Sequence, residues 1–381
     1  MATKLKTTLR SDLRDGSGIN THFCFHPSVY GDGRTPNQQL VQSVIDLNIG
    51  VVRERYWPGN PAQQKAFDQL IDAGIGLYLF IGNISSTTGQ MQTDAKALAN
   101  ASFASNVVGV CGPNEPNAGD GDGWAAKVVS LQQALYTEVC THDSLKGAGI
   151  VGPALMHNVK DIDHDYYALA KAGVGRWCDV GDFHFYPGNA GPIGNAAEAI
   201  RAGEAYGALG LWQSETGWTG ADTSEQDAAR FSVEALLRNH LTGMVGTILY
   251  ELVDESQYVA GREGLFGLRK PNGTKLAYLA VQKLLATPDG REPFDGWLAP
   301  YATGVESDCE AVVTSEGKSC WTVYLLKHSQ ATATLVLPPQ YKADNGSFSY
   351  GGDGRRRYTV QLNETMTTVQ VQPAIGRSFA R

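Results

Sequence analysis

Through the first two-thirds of the chain, short apolar runs alternate with longer amphipathic stretches. This is the rhythm of a parallel sheet whose strands are joined by helices. The runs GINTHFCF (18–25), IGVVRERYW (49–57), IGLYLFIGN (75–83), NVVGVCGPNEPN (106–117), GAGIVGPAL (147–155), VGDFHFYPG (180–188), GLWQSETGW (210–218) and MVGTILYELVDE (244–255) predict eight strands. Between and after them, segments such as QQLVQSVIDLN (38–48), AQQKAFDQLIDAG (62–74), DAARFSVEALLRNHLTG (227–243) and TKLAYLAVQKLLA (274–286) carry apolar residues at helical spacing. Several strands are nearly continuous apolar runs, as expected where both faces of a sheet are covered. Eight strand–helix units in chain order predict an α/β fold of the (β/α)8 TIM-barrel type. A doubly wound sheet is disfavoured, because the loop HPSVYGDGRTP after the first strand lacks a GxGxxG phosphate fingerprint.

After Ala286 the pattern changes. TPDGREPFDG (287–296) reads as a linker, and beyond it CWTVYLLKH, ATATLVLP, RRYTVQLN and TTVQVQP alternate apolar and polar residues between turn signals. That predicts an antiparallel, sandwich-like β domain. The reading is a barrel over 1–290, with a short N-terminal extension, and a β domain over 291–381.

Of the 381 residues, 42% are hydrophobic and 18% charged, enough for a large core. The formal charge of −8, with no basic stripe to neutralise phosphates, argues against a nucleic-acid partner. The one dense basic run, Arg355 to Arg357, reads as a solvated turn. No stretch of about 18 apolar residues predicts a membrane span. The N-terminus has no apolar signal-peptide segment, which leaves an intracellular protein, a phage-borne one or a mature form written without its leader; an extracellular or phage-borne monomer is the expectation. The six cysteines show no CxxC, and no His-rich spacing accompanies them, so no metal or other cofactor is expected. Cys309 and Cys320 flank SEGK, a hairpin turn, and a disulfide between them is expected in an oxidising compartment.

In a barrel, reactive groups gather at the C-terminal ends of the strands. The second predicted strand ends on Arg53 to Trp57, the fourth on Asn114 and Glu115, the sixth on His184 and Tyr186, the seventh on Glu215 and Trp218, and the eighth on Tyr250 and Glu251. Two carboxylates facing each other across the mouth suit glycosidic cleavage: one protonates the leaving oxygen and the other attacks the anomeric carbon. Asn114, beside Glu115, is placed to bind a sugar 2-hydroxyl. Arg53 and Tyr186 would hold Glu215 ionised, as a nucleophile requires. His184 alternates with Phe183 and Phe185 and so points inward with Tyr186. Trp57, Trp124, Trp218 and Tyr250 offer flat faces for sugar rings. Glu251 is a substrate-binding candidate, while Asp254 and Glu255 read as loop structure.

GPNEPN and WQSETGW resemble the two signature segments of clan A of the glycoside hydrolases. HFY at 184–186 resembles that clan's strand-six His-x-Tyr. ILYELVDE followed by REGLFGLRKPNGTKLAY resembles the strand-eight block of family 39 and related endoglycosidases, without the proline expected before Ala277. The resemblance spans about 18–285. It implies a retaining glycoside hydrolase, Glu115 as acid/base and Glu215 as nucleophile, acting on a polysaccharide or oligosaccharide. Short loops after the fourth and seventh strands favour an open groove and internal cleavage. The alternative is a barrel that binds carbohydrate without cleaving it.

Overall fold

The structure is a computed structural model. It describes residues 3–4, 10–118, 123–156, 162–192, 195–207, 210–286, 297–298, 309–315, 320–327, 332–337, 341–350, 356–362 and 366–373. The linker read over 287–296 and the basic residue Arg355 lie outside them. Two compact units divide the chain: Arg14–Gln282, and Met1–Leu13 with Lys283–Arg381.

The first unit is an eight-stranded parallel barrel. Its strands are β1 (Ser17–Asn20), β2 (Val51–Arg55), β3 (Gly76–Phe80), β4 (Val107–Cys111), β5 (Gly149–Val151), β6 (Gly181–His184), β7 (Leu211–Thr216) and β8 (Gly246–Leu249). Each pairs with its neighbours in chain order, and β8 returns to β1. A bridge between Val151 and Val180 and the bond from Gly152 N–H to the Val180 carbonyl (2.8 Å) close the ring between β5 and β6. The connecting helices are α1 (Gln38–Leu47), α2 (Pro61–Asp72), α3 (Thr88–Ala99), α4 (Trp124–Val139), α5 (Ile162–Ala172), α6 (Asn195–Tyr206), α7 (Glu225–Leu241) and α8 (Leu276–Ala286). Their starts follow local chemistry. Asn37, Asn60, Thr87 and Ser224 each accept a first-turn N–H, and Pro61 opens α2, where a missing N–H costs nothing. Among the described residues no helix is long and apolar enough to cross a membrane.

Val51, Tyr78, Cys111, Val151, Trp212 and Ile248 fill the barrel interior with an apolar plug. The Tyr78 and Trp212 rings meet edge to face, 5.6 Å between centroids. Gly246 makes room for this packing, because a Cβ there would overlap the Trp212 ring. The plug is the floor of the polar layer described below.

All eight strands are shorter than the runs that predict them, and the first and the eighth show why. The segment 18–25 leaves the sheet after Asn20, where Phe25 N–H turns back to the His22 carbonyl and Cys24 N–H finds the Glu54 carboxylate (2.5 Å). The segment 244–255 is strand only to Leu249, after which Glu251 N–H donates to the Phe266 carbonyl and Leu268 N–H donates to the Glu251 carbonyl. Apolarity persists there because the loop packs, not because the ladder continues.

The second unit holds two antiparallel sheets. One orders Thr3–Lys4, Trp297–Leu298, Thr332–Leu337, Arg356–Gln361 and Ser347–Tyr350; the other orders Cys309–Ser315, Trp321–Lys327, Met366–Pro373 and Tyr341–Ala343. Inward residues of both, including Trp321, Val323, Leu335, Tyr358, Val360 and Val369, form one core. Thr3–Lys4 pairs with Trp297–Leu298, so the N-terminal extension joins this unit and not the barrel. Arg356 and Arg357 open a strand instead of lying in a turn. The Cys309–Cys320 disulfide is excluded by register. Cys309 faces Lys327 at one end of its hairpin, while Cys320 precedes Trp321, which faces Ser315 at the other. At about 3.3 Å per residue the two are roughly 20 Å apart, far beyond the ~7 Å a disulfide spans between Cα atoms; Cys320 is a free thiol.

The plug yields a stability prediction. Trp212→Ala empties the barrel centre and should cost about 3–5 kcal/mol, as buried aromatic truncations do. Trp212→Phe should cost clearly less. Denaturant unfolding followed by a barrel-specific probe measures both; equal losses would show that Trp212 does not pack the floor.

Candidate active site

A polar layer sits above the plug, and Arg53 is its centre. Strand register aligns Asn20 on β1, Arg53 on β2 and Tyr78 on β3 in one row. Period-two alternation points Arg53 inward and Glu54 outward. Glu54 is satisfied outside the barrel by Thr21, Gln63 and the Cys24 N–H. The Arg53 side chain is 1% exposed. Its Nη1 donates to Glu215 Oε1 (2.6 Å) and Asn20 Oδ1 (2.8 Å), and its Nη2 donates to Asn114 Oδ1 (2.5 Å). The guanidinium lies over the Phe80 ring, 4.7 Å from its centroid.

Glu215 reaches this layer because β7 is irregular. Phe183 pairs with Gln213 and His184 with Glu215, so Ser214 is an extra residue on the β6 side. On the β8 side the register also slips between Gln213 and Thr216. Gln213 keeps its outward orientation, accepting from Asn239 Nδ2 on α7 (2.6 Å). The bulge then turns both Ser214 and Glu215 inward, as bulges beside active sites re-aim side chains. Tyr186 donates to Glu215 Oε2 (2.6 Å). Burial alone would raise the Glu215 pKa, but the charges of His184 and Arg53 and the bonds from Tyr186 and Arg53 outweigh it. The carboxyl is therefore held below its ordinary value.

Glu115 follows β4 with a left-handed backbone, φ 44°. A non-glycine residue is rarely kept there unless its surroundings enforce it; here its N–H bonds the Ala154 carbonyl (3.1 Å). Its Oε1 lies 2.9 Å from His184 Nδ1, and Glu215 Oε2 lies 3.5 Å from the same nitrogen. One ligand atom from each of Glu115, His184 and Glu215 falls within 4.8 Å of the others. Glu115, Met156, Tyr186, Glu215, Tyr250, Arg262, Glu263 and Phe266 line a cleft of about 430 Å³. His184 is fully buried. Burial would lower its pKa, but Glu215 and the bond to Glu115 raise it above the ordinary value.

Arg53, Asn114, Glu115, His184, Tyr186, Glu215 and Tyr250 thus meet as the sequence reading has them. Others do not. Trp218 is buried against Phe231 and donates its indole N–H to the Ala190 carbonyl (2.8 Å). With Thr223 and Leu268 it lines an adjoining cavity, which shares Tyr250 and Phe266 with the cleft. Trp57 is 47% exposed beneath the Arg55 guanidinium and lines a different depression with Asn60, Gln64 and Phe103. Trp124 packs into the cluster beneath α4 to α6. Glu251 is buried away from the cleft lining. With Glu255 it flanks His22 Nδ1, at 3.3 and 2.9 Å, and burial pushes its carboxyl up to about 7. Glu255, read as loop structure, is therefore half of a buried ion pair. Sequence reasoning missed Asn20, Tyr78, Asp182 and Ser214; alternation along β6 would have placed Asp182 inward beside His184.

Among the described residues two groups offer three potential cation ligands each, Glu115–His184–Glu215 and His22–Glu251–Glu255. In the first, the Arg53 charge sits 2.6 Å from Glu215, where it opposes a second cation.

No protein-family model matches the chain, and no curated protein matches it. Solved structures share its fold. A family 39 glycoside hydrolase from the gut symbiont Bacteroides cellulosilyticus WH2 superposes with a TM-score of 0.61 at 13% identity, covering 97% of this chain and 83% of that one. An alpha-L-arabinofuranosidase from Thermotoga maritima gives 0.59 at 11%, covering 98% of both chains. The endo-beta1,6-glucanase BT3312 gives 0.58 at 11%, covering 97% and 93%. The fold is the barrel with added β-sheets that these glycoside hydrolases share.

Arg53 has a measurable thermodynamic role. Glu215's folded pKa lies below its unfolded value, so its contribution to stability is present above the unfolded pKa and lost as pH falls through the folded one. Arg53→Met leaves the carboxylate buried and unpaired, and should cost about 3–5 kcal/mol near neutral pH. The loss should shrink as pH falls and Glu215 protonates, and Glu215→Gln in the same chain should recover part of it. Denaturant unfolding across pH checks this; a loss independent of pH and of residue 215 would contradict it.

Proposed function

We propose that the chain is a retaining glycoside hydrolase that cleaves an oligosaccharide or polysaccharide by double displacement, with Glu215 as nucleophile and Glu115 as acid/base. The observation that carries this is the spacing of two unequal carboxyls. One oxygen of each lies within 4.8 Å of the other residue's. Retaining pairs sit about 5–5.5 Å apart, whereas inverting pairs need about 6.5–9.5 Å to admit a water.

The environments fit the two roles. Glu215 is 8% exposed on its side chain, with one oxygen held by Arg53 and the other by Tyr186, so it is ionised and aimed. Glu115 is 23% exposed and free to meet a leaving oxygen. Attack by Glu215 on the anomeric carbon breaks the glycosidic bond as the Glu115 proton passes to the departing oxygen. Water then enters, Glu115 takes its proton, and the hydroxide adds to the anomeric carbon as the bond to Glu215 breaks. Arg53 holds the Asn114 amide by its oxygen. The amide N–H groups are left for the substrate, and a sugar 2-hydroxyl is the partner that strengthens such a bond in the transition state.

The cleft supports action within a chain. It is bordered by exposed groups, Met156, Arg262 and Glu263.

Replacing Glu215 with Ala should abolish turnover, and added azide should then give a glycosyl azide of inverted configuration. Glu115→Ala should retain the first step on substrates with good leaving groups and, with azide, give the retained product. Product stereochemistry by NMR decides, and an exchange of the two outcomes would reverse the roles.

A further inference from the structure

Beneath the two glutamates lies a buried chain of polar groups that the displacement steps leave unexplained. Asp182 on β6 is fully buried and accepts four hydrogen bonds. Tyr78 Oη (2.5 Å) and Ser214 Oγ (2.6 Å) donate to Oδ2, and the N–H groups of Phe183 (2.8 Å) and Ser214 (3.1 Å) to Oδ1. Burial raises the Asp182 pKa, but two backbone N–H groups and two hydroxyls aimed at one carboxyl stabilise the carboxylate, and the short Ser214 contact is charge-assisted. The single hydroxyl proton of Ser214 is therefore committed to Asp182. What Ser214 Oγ turns toward His184 Nε2, at 3.1 Å, is a lone pair. A lone pair there calls for an N–H on the ring. Arg53 Nη2, one N–H of which goes to Asn114, brings its second N–H to 3.4 Å from the same nitrogen, a longer and weaker contact than the one to Ser214.

We propose that the Tyr78–Asp182–Ser214 chain fixes His184 as the Nε2–H tautomer, leaving Nδ1 as its one titrating nitrogen, which shares a proton with Glu115. Asp182 and Ser214 are then positioning residues for the acid/base, acting through His184. The proposal rests on the hydrolase reading for its catalytic meaning, but the tautomer does not. Nδ1 is 2.9 Å from Glu115 Oε1 and 3.5 Å from Glu215 Oε2. The shared proton sits either on Glu115, donated to a neutral ring, or on Nδ1, donated to the Glu115 carboxylate. Moving between these breaks one O–H and forms one N–H, and nothing else changes. The Glu215 charge holds that proton in the resting site. When Glu215 becomes an ester of the sugar, its charge is gone and the proton is held less tightly, at the stage where Glu115 must accept one from water. Had the ring carried its proton on Nδ1 when neutral, that proton would be donated to Glu115 permanently and Glu115 would be a poor acid.

Nitrogen-15 NMR of histidine-labelled protein reads the tautomer without any substrate. Among the eight histidines, the His184 signals are those lost in His184→Asn. In the wild type, Nε2 should carry a proton across the whole pH range and only Nδ1 should titrate. Ser214→Ala removes the acceptor, and a population protonated at Nδ1 alone should appear. Ser214→Thr should restore the wild-type pattern. With an active substrate, the high-pH limb of kcat/KM should shift in Ser214→Ala and return in Ser214→Thr. A neutral wild-type ring protonated at Nδ1, or a Ser214→Ala spectrum identical to wild type, overturns the proposal. If Ser214→Ala does not fold, the wild-type spectrum decides alone. A chain without glycosidase activity but with the expected tautomer would refute the hydrolase reading and leave the lock standing.

Discussion

One guanidinium ties the mouth of this barrel together. Arg53 reaches from β2 to Asn20 on β1, to Asn114 after β4 and to Glu215 on β7, so groups from three other strand ends are held by one buried cation. Removing such an ion from water costs several kcal/mol unless its partners are close and its donors are used. Here the opposite charge lies at 2.6 Å, aromatic faces of Phe80 and Tyr78 flank the guanidinium plane, and only Nε lacks a partner. The apolar plug below keeps water out and so strengthens the electrostatics above it. The same cation that steadies the mouth keeps Glu215 charged.

The second constraint is the division of two carboxyls into unlike roles. Both glutamates stand at the C-terminal ends of barrel strands, and both approach His184. They differ in what else they meet. Glu215 has a cation and a phenol; Glu115 has a histidine and the open cleft. Two acids in contrasting environments are how one fold supplies an acid and a nucleophile at the same pH. Backbone geometry supports the division, since a bulge aims Glu215 and a left-handed residue aims Glu115.

Much of this was legible in the sequence, for reasons that differ by element. The barrel was legible because strands covered on both faces must be apolar and helices covered on one must be amphipathic. Glu115, Glu215, Arg53, His184 and Tyr186 were legible because strand ends in a barrel converge. The bulge at Ser214 and Glu215 was not, because register depends on the partners, β6 and β8, and not on the strand itself. Strict alternation would have turned Glu215 away from the axis. Trp218 was misplaced for a related reason: its N–H partner, Ala190, is fixed only by the folding of the loop after β6. The Cys309–Cys320 pair failed because adjacency to a turn says nothing about which ends of the hairpin the sulfurs occupy. The strand at Thr3–Lys4 was invisible, since two residues carry no period.

The central claim is that Glu215 forms a covalent bond to the sugar. An activated 2-deoxy-2-fluoro glycoside of a sugar that the protein cleaves should glycosylate one carboxylate faster than the sugar is released, and peptide mapping by mass spectrometry locates it. The account predicts a single adduct on Glu215, in the peptide that contains Trp212 to Trp218. An adduct on Glu115, or turnover of the natural substrate with inverted product and no adduct, would contradict it.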